Sequence, residues 1–222
     1  MRLALERLLA KRIPGRQSWW PTSAWSATAG VIVLASGCGL LTGVAARLMD
    51  VYGSVGIARV GGGVAAWITL AFWTARRSER ALIAVVASAA YLLFWLPAFY
   101  TTDAIQQGVP VSTMWTLARP WVLLLGPASV FVGVAAWRSR REGTVGDAAL
   151  ALPVTWSLAE ALLGASRTTS ASAWLLEASL LLGLASTLVV SGWRRRRVNA
   201  RTFTVSVLAG LAVFAFATSV WF

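Results

Sequence analysis

Few residues in this chain are able to do chemistry, and most are carboxylates and arginines set in apolar sequence. Glu160 leads them. It lies within PVTWSLAEALLGAS, residues 153–166, and at helical spacing it shares a face with Pro153, Trp156, Ser157 and Gly164. Arg59, Arg119 and Glu177 also fall in or beside apolar stretches. A charge inside lipid is costly unless it is paired or wetted, so such residues pair or line a polar cavity. Glu160, Arg59, Glu177, Arg119 and Trp156 are therefore the candidate ligand-binding residues.

The same residues also fit a purely structural role. Arg59, Arg119 and Glu177 can snorkel from helix ends. Glu177 shares its face with Leu181, Leu184 and Leu188, a stripe suited to lipid or core. Trp67 and Trp156 sit mid-span, where packing against glycine-rich neighbours competes with ligand stacking.

Much chemistry is excluded. With no His, His-ligated haem, zinc sites of the HExxH type and Ser-His catalysis are absent. The one Lys, Lys11, lies in a basic leading segment, so no Schiff base forms in a helix bundle. There is no P-loop and no GxGxxG. Gly146-Asp147 resembles an intramembrane aspartyl protease motif only faintly, and Asp147 reads better as a helix cap. No catalytic residue, metal or cofactor is expected. Cys38 is the one cysteine, so no disulfide forms within the chain.

The elements that must position these residues are membrane helices. The chain has 222 residues, 58% hydrophobic and 13% charged, with a mean hydropathy of +0.69. Lipid requires every backbone group to be satisfied, and the apolar runs are continuous rather than alternating, which excludes a β-barrel. The expected fold is all-α, a polytopic transmembrane bundle of about seven spans over residues 19–222, behind a basic amphipathic segment at 1–18. Leu3, Leu5, Leu8 and Leu9 in that segment alternate with Arg2, Arg7, Lys11 and Arg12, as in a helix lying on an anionic leaflet. Its apolar runs are too short for a signal peptide.

The spans are expected near 22–46, 53–75, 81–99, 120–137, 147–166, 172–193 and 202–222. Gly39 and Gly43 form a small-xxx-small face for close helix approach. Pro97 is expected to close the third span, and Thr101 to Met114 to be a polar linker. Pro120 suits a first helical turn, and Gly126-Pro127 predicts a kink near mid-membrane.

Arginines set the orientation. With the N-terminus inside, inner segments collect sixteen of the twenty basic residues, and only Arg47, Arg59, Arg119 and Arg167 stay outside. The net charge of +12 thus orients helices and does not indicate nucleic acid. Tryptophans fall at both boundaries, Trp73 and Trp137 inside, Trp115, Trp121 and Trp174 outside, as an aromatic belt. In this frame Glu160 lies about 10 Å and Glu177 about 8 Å below the outer edge, at 1.5 Å per residue. Two acids and two arginines at matching depth indicate ion pairs lining an outward-opening pocket.

Several segments carry a resemblance: Gly37, Gly39 and Gly43; AAWITLAFWTARR at 65–77; Leu125-Gly126-Pro127 ahead of Gly133 and Trp137-Arg138; and Ala159-Glu160-Ala161. The layout resembles a family of uncharacterised integral membrane proteins of actinobacterial type, a domain of unknown function. That resemblance implies no substrate and no catalytic residue. Three classes of function follow from the residues. The first is a plasma-membrane transporter or substrate-binding subunit. The second is an accessory subunit that meets a membrane-protein partner through its glycine-rich faces. The third is a lipid-modifying enzyme using an outer-leaflet carboxylate.

Overall fold

A computed structural model describes residues 22–167, 170–193 and 198–221. The amphipathic segment expected at 1–18 and the arginines at 194–197 lie outside the described residues. Among the described residues the fold is all-helical, with eight helices and no strand. In chain order they are α1 (Thr22–Tyr52), α2 (Val55–Gly62), α3 (Val64–Ala75), α4 (Ala81–Gln107), α5 (Val111–Arg138), α6 (Thr144–Arg167), α7 (Ala171–Trp193) and α8 (Ala200–Trp221). Four stretches are long and apolar enough to cross a membrane: Ala27–Tyr52, Ala81–Gln107, Val111–Arg138 and Thr144–Ala165. The pair α2 and α3 makes a fifth if it counts as one broken span, bent by 51°. α7 and α8 contribute the shorter apolar segments Ala171–Thr187 and Ala200–Val213. Large apolar side chains stand on the outside, Leu123 at 80% and Leu82 at 74% exposure. That surface suits lipid and would be costly in water.

Three expectations change. α4 runs through Pro97 to Gln107, and α5 begins at Val111, so the polar stretch 101–114 is almost wholly helical. Proline removes one hydrogen bond, whereas ending a helix there would orphan several carbonyls in an apolar setting. Two polar residues in the extension find partners: Gln107 donates to Asp103 at 2.6 Å, and Arg47 on α1 pairs with Asp103. Pro120 consequently lies inside α5, not in its first turn, and Gly126-Pro127 does not interrupt that helix. The chain breaks and bends by 51° at the Gly61-Gly62-Gly63 run.

Helix α1 packs most extensively on α4, α4 also on α5, and α6 on α7 and α8. Helix α3 touches every other described helix except α8. The α1–α4 seam uses the small-xxx-small face: a Cβ on Gly39 would overlap the Tyr91 carbonyl, and one on Gly43 would lie 2.5 Å from the Trp95 carbonyl. Across this seam the Thr42 and Tyr91 hydroxyls are 2.7 Å apart.

The bundle has a basic end and an acidic end. At the basic end Arg140 donates to the Ser78 carbonyl at 2.8 Å, and Trp137 Nε1 to the Glu79 carbonyl at 3.0 Å, so the α3–α4 and α5–α6 turns adjoin. Arg77 lies over Trp73 and Arg141 over Trp137, each 4.0 Å from the ring centre. Asp147 is buried and accepts from Asn199 N–H at 3.0 Å, so it also ties the start of α8 to α6. The acidic end gathers the last turn of α1, the start of α2, the end of α6 and the start of α7.

Replacing Gly43 by Leu should lower unfolding stability by about 1–3 kcal/mol through overpacking. Gly37→Leu should have little effect, because a Cβ there meets nothing within 4 Å. Denaturant titration of the purified protein in mild detergent distinguishes the two. Equal stability for both variants would contradict the seam.

Candidate functional site

Helix α3 starts inside the bundle, so its first N–H groups have no partner within the helix. Gly63 precedes it in extended conformation, with φ −76° and ψ 145°, and makes no side-chain cap. The partner comes from α6: Ala65 N–H donates to Glu160 Oε2, and the Val64 N–H also bonds this carboxylate. A carboxylate at a helix N-terminus also opposes the partial positive charge of the aligned peptides. Glycine at 63 is required by close approach and not by dihedral angle. A Cβ there would overlap Glu160 Oε1 and lie 2.7 Å from the Arg59 carbonyl.

The complementary end, the last turn of α2, carries Arg59. Arg59 Nη1 donates to the Gly164 carbonyl at 3.1 Å and lies 3.6 Å from Glu177 Oε2. The Glu177 side chain is only 3% exposed, while Arg59 is part-exposed, so the carboxylate is the buried partner of the pair. Gly164 makes room for it, since a Cβ there would stand 2.7 Å from Glu177 Oε2. Helix α2 sits tightly on both neighbours. A Cβ on Gly56 would be 2.5 Å from the Ala173 carbonyl, and one on Gly61 2.5 Å from the Ala46 carbonyl.

Around these groups lies a cavity of about 810 Å³. Its lining includes Asp50, Arg59, Gly63, Trp156, Glu160 and Glu177. Asp50 is paired with Arg47, which also pairs with Asp103 and lies 5.9 Å from the centre of the Phe99 ring. Ser157 and Gly164 are buried, so the face of α6 that carries Glu160 points into the protein.

Four of the five expected residues, Glu160, Arg59, Glu177 and Trp156, thus meet at one cavity. Arg119 does not. It is exposed, while Met114 and Ala118 form the buried face of α5, which leaves Arg119 rotated away from the site. Glu177 is not lipid-facing: Leu181, one turn on, is fully buried, because α7 packs against α2 and α6. Sequence reasoning left Asp50 and Gly63 out of the site and gave Gly164 only as a neighbour of Glu160 on its helical face. The signal available was the glycine run two to four residues past Arg59.

No family model, no curated protein and no solved structure matches the chain.

Glu160→Ala should destabilise the protein by about 2–3 kcal/mol, because buried N–H groups lose a charged acceptor. Glu160→Gln keeps a carbonyl at the same place and should cost clearly less. Unfolding titrations of both variants check the ordering; a Gln form as unstable as the Ala form would show that the amide cannot cap α3.

Proposed function

We propose that this is a plasma-membrane protein of about seven spans with its N-terminus inside. It acts as a small-molecule transporter or substrate-binding membrane subunit, with its site in the outer half. The observation that carries the reading is the cavity at the α2–α3 break, with a carboxylate at one half-helix end and an arginine at the other. Broken helices that present their termini to a mid-membrane cavity are a recurring way to bind polar solutes within lipid. The volume falls within the range of small-molecule sites.

Orientation rests on charge. The turns that adjoin at the basic end hold Arg76, Arg77, Arg80, Arg138, Arg140 and Arg141. The positive-inside rule sets that end in the cytoplasm and opens the acidic end outward. Counting α2–α3 as one span, and α7 and α8 as two more, gives the seven.

The accessory-subunit reading draws on glycine faces. Gly39, Gly43, Gly56, Gly61 and Gly133 are already closed by neighbours within the chain. Gly30, Gly37, Gly126 and Gly183 meet nothing within 4 Å, so a partner on those faces is the second reading. The enzyme reading is weakened because both carboxylates are engaged in holding helix ends.

Gentle purification from native membranes followed by native mass spectrometry tests the proposal. The expected result is a bound small molecule that is lost in Glu160→Gln while the variant still inserts and folds. A stoichiometric protein partner with no small molecule, or full retention of the molecule by the Gln variant, would overturn it.

A further inference from the structure

A second cavity, of about 350 Å³, adjoins the first. The two share Gly62, Val64 and Trp156 in their walls. Their chemistry differs sharply. The second is lined by Trp67, Trp95, Phe99, Tyr100, Trp121 and Trp156, with aliphatic side chains between them. Its rings are already ordered: Trp67 stacks on Trp95 at 5.1 Å, Trp95 on Phe99 at 5.2 Å, and Tyr100 meets Phe99 edge-on at 5.4 Å. Such a surface takes a flat or bulky apolar body, or the flank of a cation.

The first cavity is acidic. Its wall carries Asp50, Glu160 and Glu177 against Arg59. Following the ion pairs outward adds Arg47 and Asp103, which makes four carboxylates against two guanidiniums. The α3 N-terminus returns roughly half a positive charge. Carboxyl groups outnumber the cationic groups, so each one that ionises beyond those already paired leaves a negative charge that is costly in this setting. A cation entering the cavity relieves that charge, whereas an anion adds to it.

We propose that the two cavities form one site for an amphiphilic organic cation. Its ammonium or pyridinium-type charge lies in the acidic chamber, and its ring-bearing apolar body lies among the aromatic side chains. Trp156, on the wall of both, stands between head and body. This assignment rests on the binding function proposed above and specifies its ligand class. The apolar chamber selects against small hydrated cations, and the carboxylate excess selects against lipid-soluble acids.

The test uses the full chain in lipid nanodiscs, with ethidium as aromatic cation and anilinonaphthalene sulfonate as aromatic anion of similar kind. Saturable ethidium binding is expected, followed by fluorescence polarisation. Trp121→Ala, which touches only the aromatic chamber, should weaken it at least tenfold, and so should Glu177→Gln. Arg119→Gln, outside both cavities, should leave it unchanged. Trp121 is part-exposed, so its variant keeps the test informative if Glu177→Gln folds poorly. Saturable anion binding that depends on Arg59, with no ethidium binding, would overturn the cation assignment and leave the binding function standing. The assignment also falls if ethidium binds equally to wild type and to Trp121→Ala. If neither probe binds and native membranes yield no small molecule, both readings fall.

Discussion

A helix that breaks within lipid leaves N–H and C=O groups that no water can satisfy, so the protein itself must supply their partners. In this chain the break at Gly63 depends on one side chain, the Glu160 carboxylate, which accepts from the start of α3. Much of the neighbouring design follows from that contact. Gly63 must lack a Cβ because the carboxylate occupies its place. Arg59 must stand at the end of α2, where its charge suits the helix dipole, and from there it reaches Gly164 and Glu177. Helices α6 and α7 are thereby tied to α3 and α2, the two helices that flank the break. A buried ion pair is weak evidence for stability as such. Here its geometric effect is plain: it fixes where three helices meet and leaves a cavity between them.

The two ends of the bundle divide the labour. The basic end is closed by arginines that donate to turn carbonyls and stack on tryptophans, and by Asp147 bonded to the start of α8. The acidic end gathers Arg47, Arg59, Asp50, Asp103, Glu160 and Glu177 around open volume, with Arg119 facing outward. Glycine close contacts hold α1 on α4 and α2 between α1 and α7, so that this volume has firm walls. The aromatic chamber continues the same space into the region of α3, α4 and α5.

How much of this was legible in the sequence depended on whether the governing contact was local. The helical class follows from long apolar runs, and the inward face of α6 from the small and polar residues around Glu160, all within a few turns. The break was not legible. Pro127 carries the stronger local signal, yet a proline costs one hydrogen bond and α5 absorbs it. The Gly61-Gly62-Gly63 run breaks because an acceptor 95 residues away from Ala65 satisfies the new terminus. Depth alone paired Arg119 with the acids, but depth does not fix the direction a residue faces around its helix. Leucines beside Glu177 left its face open between lipid and core, and α7 packs that face on α2 and α6. The rings of the aromatic chamber come from four helices, and no single segment announces it.

Site-resolved amide hydrogen exchange at Val64 and Ala65, in nanodiscs, tests the central contact most directly. The account predicts strong protection in the wild-type protein, loss of protection at these two amides in Glu160→Ala, and unchanged protection in mid-α4. Full protection of Val64 and Ala65 after removal of the carboxylate would contradict it.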